Sequence, residues 1–346
     1  MSTVLTQTAG SPIRRRPWQV SRSSTGGRIG LLGLAVLTVL LAVAPYFVGP
    51  RTTSQLVQLY VLIVLASMWN LLAGYGGLVS VGQQAFIGLG TYTVLALADQ
   101  GLNPWLAVPV AGVVAGLLAL PISLLVFRLR AGYFAIGTWV VAEVLRLLVV
   151  QSSSLGAGAG KTLTGLSDYD PAVRQANTYW VALTVLVLVL VGIALLLRSP
   201  LGLGLTAVRD DEVAAGALGV QVGLAKRTVY VLAAAGCGLA GGVLLTNGLR
   251  AQPDAAFSVQ FSAFMIFMVV IGGFGTLEGP VLGALVFFAL QQTLADYGSW
   301  YLVALGVAAI AITLRVRGGL WGLLTRRSGA SVLPLRHRLV TPREKP

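Results

Sequence analysis

The segment RSPLGLGLTAVRDDEVAAGALGVQVGLAK, residues 198–226, is a polar interruption between two apolar runs at 178–197 and 229–249. Each of these runs has about the 20 residues that a helix needs to cross the hydrocarbon core of a membrane. A chain that needed only to connect two spans would use far fewer residues. We therefore expect this segment to form an amphiphilic element at the membrane surface, with the apolar runs on either side inside the bilayer.

The composition of the whole chain indicates a membrane protein. It has 346 residues, of which 56% are hydrophobic and 10% are charged, whereas a soluble domain would carry roughly a quarter of charged residues. Long apolar runs predict helices, since a membrane barrel would show segments of about 10 residues with alternating polarity. The predicted fold class is all-α and polytopic, with about ten transmembrane helices. The candidate spans are 29–48, 56–73, 78–98, 104–127, 133–150, 178–197, 229–249, 259–271, 280–295 and 300–314.

The basic residues predict the orientation of these spans. If the N-terminus is cytoplasmic, 19 of the 24 Lys and Arg residues lie on the cytoplasmic side and 4 lie outside. This asymmetry favours both termini in the cytoplasm. It predicts a cytoplasmic basic N-tail at 1–28, a transmembrane domain at 29–316 and a cytoplasmic basic C-tail at 317–346. Within the domain, the loop 198–228 is expected inside and the loop 151–177 outside. The net charge of +13 fits contact with anionic lipids and does not call for nucleic acid.

The polar interruption carries the pattern of a short surface helix. An acidic residue at 210 or 211 is suited to a first helical turn, and Gly219 can end the helix in a left-handed conformation. Two alternatives follow: an interfacial helix without a partner, or a contact for a soluble protein. The candidate contact residues are Arg209, Asp210, Asp211, Glu212, Ala214, Ala215 and Gly219.

Two apolar segments, around 74–98 and 269–295, are interrupted by glycines that can free the backbone from helical geometry. Irregular backbone at membrane depth is tolerated where protein or a water-filled cavity satisfies it. The two segments therefore predict discontinuous spans at the solute pathway or at a subunit interface, and their similar interruptions suggest two inverted halves. The candidate glycines are Gly74, Gly76, Gly77 and Gly82 in the first segment and Gly272, Gly273 and Gly275 in the second.

Four polar side chains inside predicted spans are candidates for the pathway. Gln83 and Gln84 are expected either to contact a passing solute or to hydrogen-bond between helices. Glu143 and Arg146 lie one helical turn apart near the middle of the fifth span, so they can neutralise each other. They are expected either to form a structural pair or to gate the pathway and contact the ammonium and carboxylate of a substrate.

Other chemistry is not expected. No His, Cys, Asp and Glu cluster has metal-ligand spacing, and no nucleophile–base arrangement is visible, so we predict neither a metal site nor a catalytic residue. The stretch GAGAGKT at 156–162 lacks the first glycine of a phosphate-binding loop, where Leu155 stands, and falls in the predicted outside loop.

The segment with Glu212, Ala214, Ala215 and Gly219 resembles the EAA loop of ABC importer permeases, although Val213 separates the glutamate from the alanines. Three further stretches resemble the branched-chain amino acid permeases of the LivM type. These stretches are NLLAGYGGLVSVGQQAFIGLGTYT (70–93), LRAGYFAIGTWVVAEVLRL (129–147) and VVIGGFGTLEGPVLG (269–283). Together the four motifs extend the resemblance over roughly residues 56–324.

The resemblance implies the permease subunit of an ABC importer for branched-chain or other hydrophobic amino acids in the bacterial cytoplasmic membrane. It implies a second, LivH-like permease, two cytoplasmic ATPase subunits that bind ATP and Mg²⁺, and an external solute-binding protein. The chain itself would bind no cofactor. Transport of urea or short amides, a sugar-type ABC permease and an ion-coupled secondary transporter remain alternatives.

Overall fold

The computed structural model describes residues 19–21, 33, 36–130, 132–167, 169–294, 300–315, 318–328 and 338–340. The regular elements within these residues are helices and four short strands, joined by turns and irregular segments. The helices α1 to α14 are Val36–Tyr46, Pro50–Asn70, Gln84–Asp99, Pro104–Val126, Gly132–Gln151, Pro171–Arg198, Pro200–Asp210, Glu212–Ala217, Val222–Gly248, Pro253–Ala256, Gln260–Gly272, Gly279–Leu294, Trp300–Arg315 and Gly319–Ser328.

The prediction of an all-α polytopic membrane protein is confirmed. Six helical segments of the described chain are long and apolar enough to cross a membrane. They are α2 with the turn Leu71–Tyr75 that extends it, α4, α5, α6, α9, and α10 with α11. Shorter helices, α1, α3, α12 and α13, overlap the other four predicted spans. Of the first predicted span, 29–48, only residue 33 and residues from 36 onward are described.

Several predicted boundaries were wrong. Helix α3 begins at Gln84 and not at residue 78, while α6 and α9 begin seven residues before the predicted spans at 178 and 229. Those two helices start early because a polar first turn can lie in the interface without ending the helix. The predicted C-tail from residue 317 contains α14, which packs against α11 and α12. Most of the predicted N-tail at 1–28 lies outside the described residues.

Helices α2 and α9 form the centre of the bundle. From Tyr60 to the end of α2 every residue is buried, as expected for a helix that is apolar on all sides. Helix α9 packs closely on α3 and α4 through small residues. A Cβ on Gly241 would clash with the carbonyl oxygen of Ile87, and one on Gly90 would clash with that of Gly238. Such small-residue contacts replace the hydrophobic driving force that is absent between helices in lipid.

Two antiparallel strand pairs lie outside the bundle. Strand β2, Lys161–Thr162, pairs with β3, Arg250–Ala251, and joins the loop after α5 to the end of α9. The GAGAGKT stretch therefore forms 3₁₀ turns and a strand, with no helix start that would hold a phosphate. Strand β1, Gln19–Ser21, pairs with β4, Arg338–Val340, near opposite ends of the chain.

Candidate coupling site and polar sites within the membrane

Helix α8 is a six-residue helix on the surface, joined to α7 by the single residue Asp211. The Asp211 side chain accepts hydrogen bonds from the backbone N–H groups of Val213 and Ala214, at 2.9 and 3.0 Å. Residue Gly219, just past the helix, has φ 89°. The predicted start and the left-handed end of this helix are confirmed. Both follow from local capping chemistry.

The outer face of α8 is apolar. Val213 and Leu218 are 82% and 83% exposed, whereas Ala215, on the opposite side, is buried. Ala214 is exposed beside them. Val213 in α8 and Leu218, the residue that follows this helix, form a small apolar knob that a partner protein can cover. We call Val213 and Leu218 the apolar knob of α8.

Glu212 is held within the chain. Its Oε2 lies 2.5 Å from Nζ of Lys226 in the second turn of α9. This ion pair ties α8 to the cytoplasmically predicted start of α9. Glu212 was predicted to contact a partner protein, but its charged partner in the described chain is Lys226, and a contact with another subunit stays a prediction.

Arg209, in the last turn of α7, connects this surface element to the membrane-embedded backbone. Its Nη1 donates to the carbonyl oxygen of Gly74 at 3.0 Å, and its Nη2 lies 2.7 Å from Oδ1 of Asp210. Gly74 belongs to the π turn Leu71–Tyr75 that extends α2. The guanidinium therefore satisfies a carbonyl that the wider helical turn leaves free.

The second glycine-rich segment, between α11 and α12, contacts the break at the end of α2. Asn70 donates to the carbonyl oxygen of Thr276 at 2.7 Å and accepts from the N–H of Gly275 at 2.9 Å. A Cβ on Gly275 would reach the Arg209 guanidinium. The turn between α11 and α12 and the break after α2 are thus one contact region, closed on the surface side by Arg209.

The glycines serve two different purposes, and the sequence had predicted only one. Gly77, Gly273 and Gly275 have positive φ values, as expected for backbone freedom. The other four are not in that region; they are required because a Cβ would clash with a neighbouring atom. These close-approach glycines and their neighbours are Gly74 with Asn70, Gly76 with the Leu72 carbonyl, Gly82 with Thr138 in α5, and Gly272 with the Gly279 carbonyl.

The irregular stretch between α2 and α3 is satisfied by protein groups. Trp69 Nε1 donates to the carbonyl oxygen of Ser80 at 2.9 Å, and the N–H of Val81 donates to Oγ1 of Thr138 at 3.3 Å. The predicted break in the span is confirmed, while its position at the solute pathway or at a subunit interface stays a prediction.

Gln83 and Gln84 are buried and make contacts between helices. The thiol of Cys237 in α9 lies 3.5 Å from Oε1 of Gln83, and the hydroxyl of Ser262 in α11 donates to Oε1 of Gln84. Nε2 of Gln84 is buried without a hydrogen-bond partner among the described residues. These contacts fit the structural alternative, and a role in the pathway stays a prediction.

Glu143 and Arg146 form the predicted pair and have a third partner. Arg146 binds Glu143 through Nε and Nη2, and its Nη1 lies 2.6 Å from Oδ1 of Asp254 in α10. Glu143 lies close to the middle of α5, as predicted, and Arg146 lies one turn nearer to the end of the helix at Gln151. Sequence reasoning missed Asp254, because 108 residues separate it from Arg146 and no local pattern marks it. We call these three residues the α5 charge cluster.

Taken together, the chain is a polytopic helical membrane protein in which a capped surface helix is fastened to two discontinuous spans. Residues 51–321 match the family model described as branched-chain amino acid transport system / permease component. The chain belongs to this family. It is accordingly a multi-pass permease of the cytoplasmic membrane.

Curated relatives cover most of the chain. It is 30% identical over 302 residues to the high-affinity branched-chain amino acid transport system permease protein LivM of Escherichia coli K12, covering 80% of this chain and 71% of the relative. The LivM protein of Salmonella typhimurium LT2 is 29% identical over the same shares. The ribose import permease protein RbsC of Bacillus subtilis 168 is 26% identical over 86% of this chain and 92% of that protein. No solved structure matches the chain.

Proposed function

We propose that this chain is a permease subunit of an ATP-driven importer whose cargo is a branched-chain or other hydrophobic amino acid. The observation that carries the proposal is the bond between Arg209 and the Gly74 carbonyl, which fastens the surface helices to a broken span. A permease that is moved by a separate motor needs such a connection. A membrane anchor or a passive pore does not.

The mechanism follows from the contacts of α7 and α8. An ATPase subunit on the cytoplasmic side covers the apolar knob of α8, Val213 and Leu218. When the ATPase changes shape, α8 moves together with α7, because Asp211 alone joins them. Arg209 passes this displacement to Gly74 and to the neighbouring turn at Gly275. The discontinuous spans then shift between outward-open and inward-open arrangements.

ATP drives this change only if it binds one arrangement of the complex better than the other. Two ATPase subunits would hold ATP and Mg²⁺, so this chain would bind no cofactor. A second, LivH-like permease completes the pathway, and an external binding protein delivers the cargo to the side of the loop at 151–177. The charge asymmetry of the sequence supports this orientation.

The cargo class rests on the relatives. Two LivM proteins are named for branched-chain amino acid transport and cover most of this chain. Import of a sugar is the second candidate, since RbsC is named for ribose import and matches over nearly its full length. Urea and short amides are further alternative cargoes, which the resemblance described in the sequence analysis left open.

The proposal is tested by reconstitution. The chain is co-expressed with candidate ATPase, second permease and binding-protein subunits, purified as a complex and placed in liposomes. We expect uptake of radiolabelled leucine that requires ATP and is competed by isoleucine and valine. Uptake driven by a proton gradient without ATP would overturn the proposal in favour of a secondary transporter. Competition by ribose and not by isoleucine would assign the sugar class.

A further inference from the structure

The α5 charge cluster stands at an exposed surface of a membrane-spanning helix. The side chains of Glu143, Arg146 and Asp254 are 48%, 24% and 70% exposed. Glu143 and Arg146 lie about 12 and 8 Å before the end of α5 at Gln151, at 1.5 Å per residue. Charges at that depth are costly in hydrocarbon, and such residues normally face protein or water. Lipid chains are therefore a poor occupant for this face.

The cluster has unused bonding capacity and an excess of one negative charge. Arg146 engages both carboxylates, yet a guanidinium carries five N–H donors. Within the described residues, Asp254 uses Oδ1 for Arg146, and its Oδ2 receives no hydrogen bond. An acceptor and spare donors thus stand side by side, which is the pattern that an ammonium and a carboxylate on one carbon would match.

A second observation comes from Tyr92 of α3. Its side chain is 3% exposed, and its hydroxyl has no hydrogen-bond partner among the described residues. The Tyr92 ring stacks on Phe257, three residues after Asp254, with 6.1 Å between ring centroids. Close to the segment that carries Asp254, the described chain therefore leaves the bonding capacity of one buried hydroxyl unused.

We propose that Glu143, Arg146 and Asp254 form a binding site for the head group of an α-amino acid, on a water-filled face of α5. The inference rests on the proposed function and names a contact for its cargo. The ammonium of the solute lies at Asp254 and Glu143, and its carboxylate takes the spare N–H donors of Arg146. Because the solute is a zwitterion, it exchanges one set of ion pairs for another without changing the net charge of the site.

The apolar side chain of the solute also finds neighbours there. Val140 and Leu147 are exposed on α5 within one turn of the cluster. An amino acid with a branched aliphatic side chain can therefore place its head group on the charges and its side chain on this apolar surface. Binding is expected to be weak, because the solute must replace ion pairs that the three side chains make with each other in its absence.

The test uses thiol labelling of the assembled transporter, this chain with its partner subunits, in liposomes. Cys237, the only cysteine of the chain, is buried, so the background is low. Val140→Cys keeps the cluster intact and places a thiol one turn from Glu143. The matched control is Leu188→Cys on α6, which is also exposed but has no charged neighbour on its helix turn. The probe is a charged, membrane-impermeant methanethiosulfonate.

We expect Val140→Cys to react and Leu188→Cys not to react. Leucine at about ten times its half-protecting concentration should slow the reaction roughly tenfold. Adding Asp254→Asn should raise the half-protecting concentration of leucine about tenfold, the loss expected for a bond to a charged group. Protection by leucinol, which has the ammonium but no carboxylate, should suffer at least as much from this change.

Two results would overturn the site. If Val140→Cys reacts no faster than Leu188→Cys, lipid or another subunit covers this face. If it reacts but leucine gives no protection, the face is wet and binds no head group. ATP-driven uptake of leucine is measured in parallel on liposomes that hold the unsubstituted transporter. Protection without ATP-driven uptake would contradict the proposed function and leave the site standing, so the two failures are distinguishable.

Discussion

Arg209 and Gly74 are 135 residues apart in sequence, yet the guanidinium of Arg209 donates a 3.0 Å hydrogen bond to the carbonyl oxygen of Gly74. The donor is at the end of a surface helix, and the acceptor is in a π turn of the most buried helix of the bundle. This bond joins the polar segment at 198–226 directly to an interrupted span.

Replacing Arg209 tests this route. Arg209→Ala leaves the Gly74 carbonyl without its charged donor, and a bond of this kind is worth about 1.5–3 kcal/mol when sheltered. Arg209 is about a third exposed, so we expect the lower end, with uptake reduced roughly tenfold and ATP hydrolysis retained. Arg198→Ala is the control, since it removes an exposed arginine from the end of α6. Unchanged uptake in Arg209→Ala would show that the bond transmits nothing.

A charge exchange tests the pair between Glu212 and Lys226. Glu212→Arg places two positive charges together and should lower uptake, although an exposed pair of this kind contributes only about 0.2–1 kcal/mol to stability. The double variant Glu212→Arg with Lys226→Glu restores the opposite charges. Recovery of uptake in the double variant is expected if the pair acts within the chain. If only the wild-type glutamate works, Glu212 contacts another subunit instead.

The apolar knob of α8 is tested by a charge on its surface. Val213→Asp or Leu218→Asp should release the ATPase subunits during purification, because an unpaired carboxylate at a covered apolar contact costs several kcal/mol. Leu218→Met is the control, because it keeps an apolar side chain of similar volume. Measurement is by co-purification and by thermal unfolding of the isolated chain, which should not change. Full retention of ATPase by both aspartate variants would place the contact elsewhere.

Close packing of α9 on α3 is tested by adding one methyl group. Gly241→Ala forces a Cβ against the Ile87 carbonyl and should destabilise the chain by about 1–3 kcal/mol. Gly192→Ala on α6 is the matched control, since nothing lies within 4 Å of a Cβ there. It should be neutral or slightly stabilising, because alanine favours a helix over glycine. Thermal unfolding in detergent compares them, and equal midpoints would argue against the tight contact.

Local features were predictable from the sequence. The start of α8 after Asp211 and its end before Gly219 depend on capping groups within a few residues. The glycines before α3 indicate the break that precedes this helix. Contacts between distant segments were not predictable. Nothing in the sequence around Asp254 links it to Arg146, and no pattern shows that the Glu212 carboxylate meets Lys226.

The glycines illustrate the limit most clearly. A glycine needed for positive φ and one needed for close approach look the same in a sequence. Gly77 belongs to the first kind, and Gly82, whose missing Cβ makes room for Thr138, belongs to the second. Only the placement of α5 against the irregular stretch separates them.

A single extended residue, Asp211, joins α7 to α8, with φ −155° and ψ 108°. A linker of one residue allows the two helices little independent movement. Its side chain is already committed to the N–H groups of α8, so the joint cannot yield without breaking its own cap. In the proposed mechanism, a displacement of α8 therefore moves α7 by the same amount. Inserting residues between the two helices would make the connection flexible, so that α8 could move without displacing α7 or the spans.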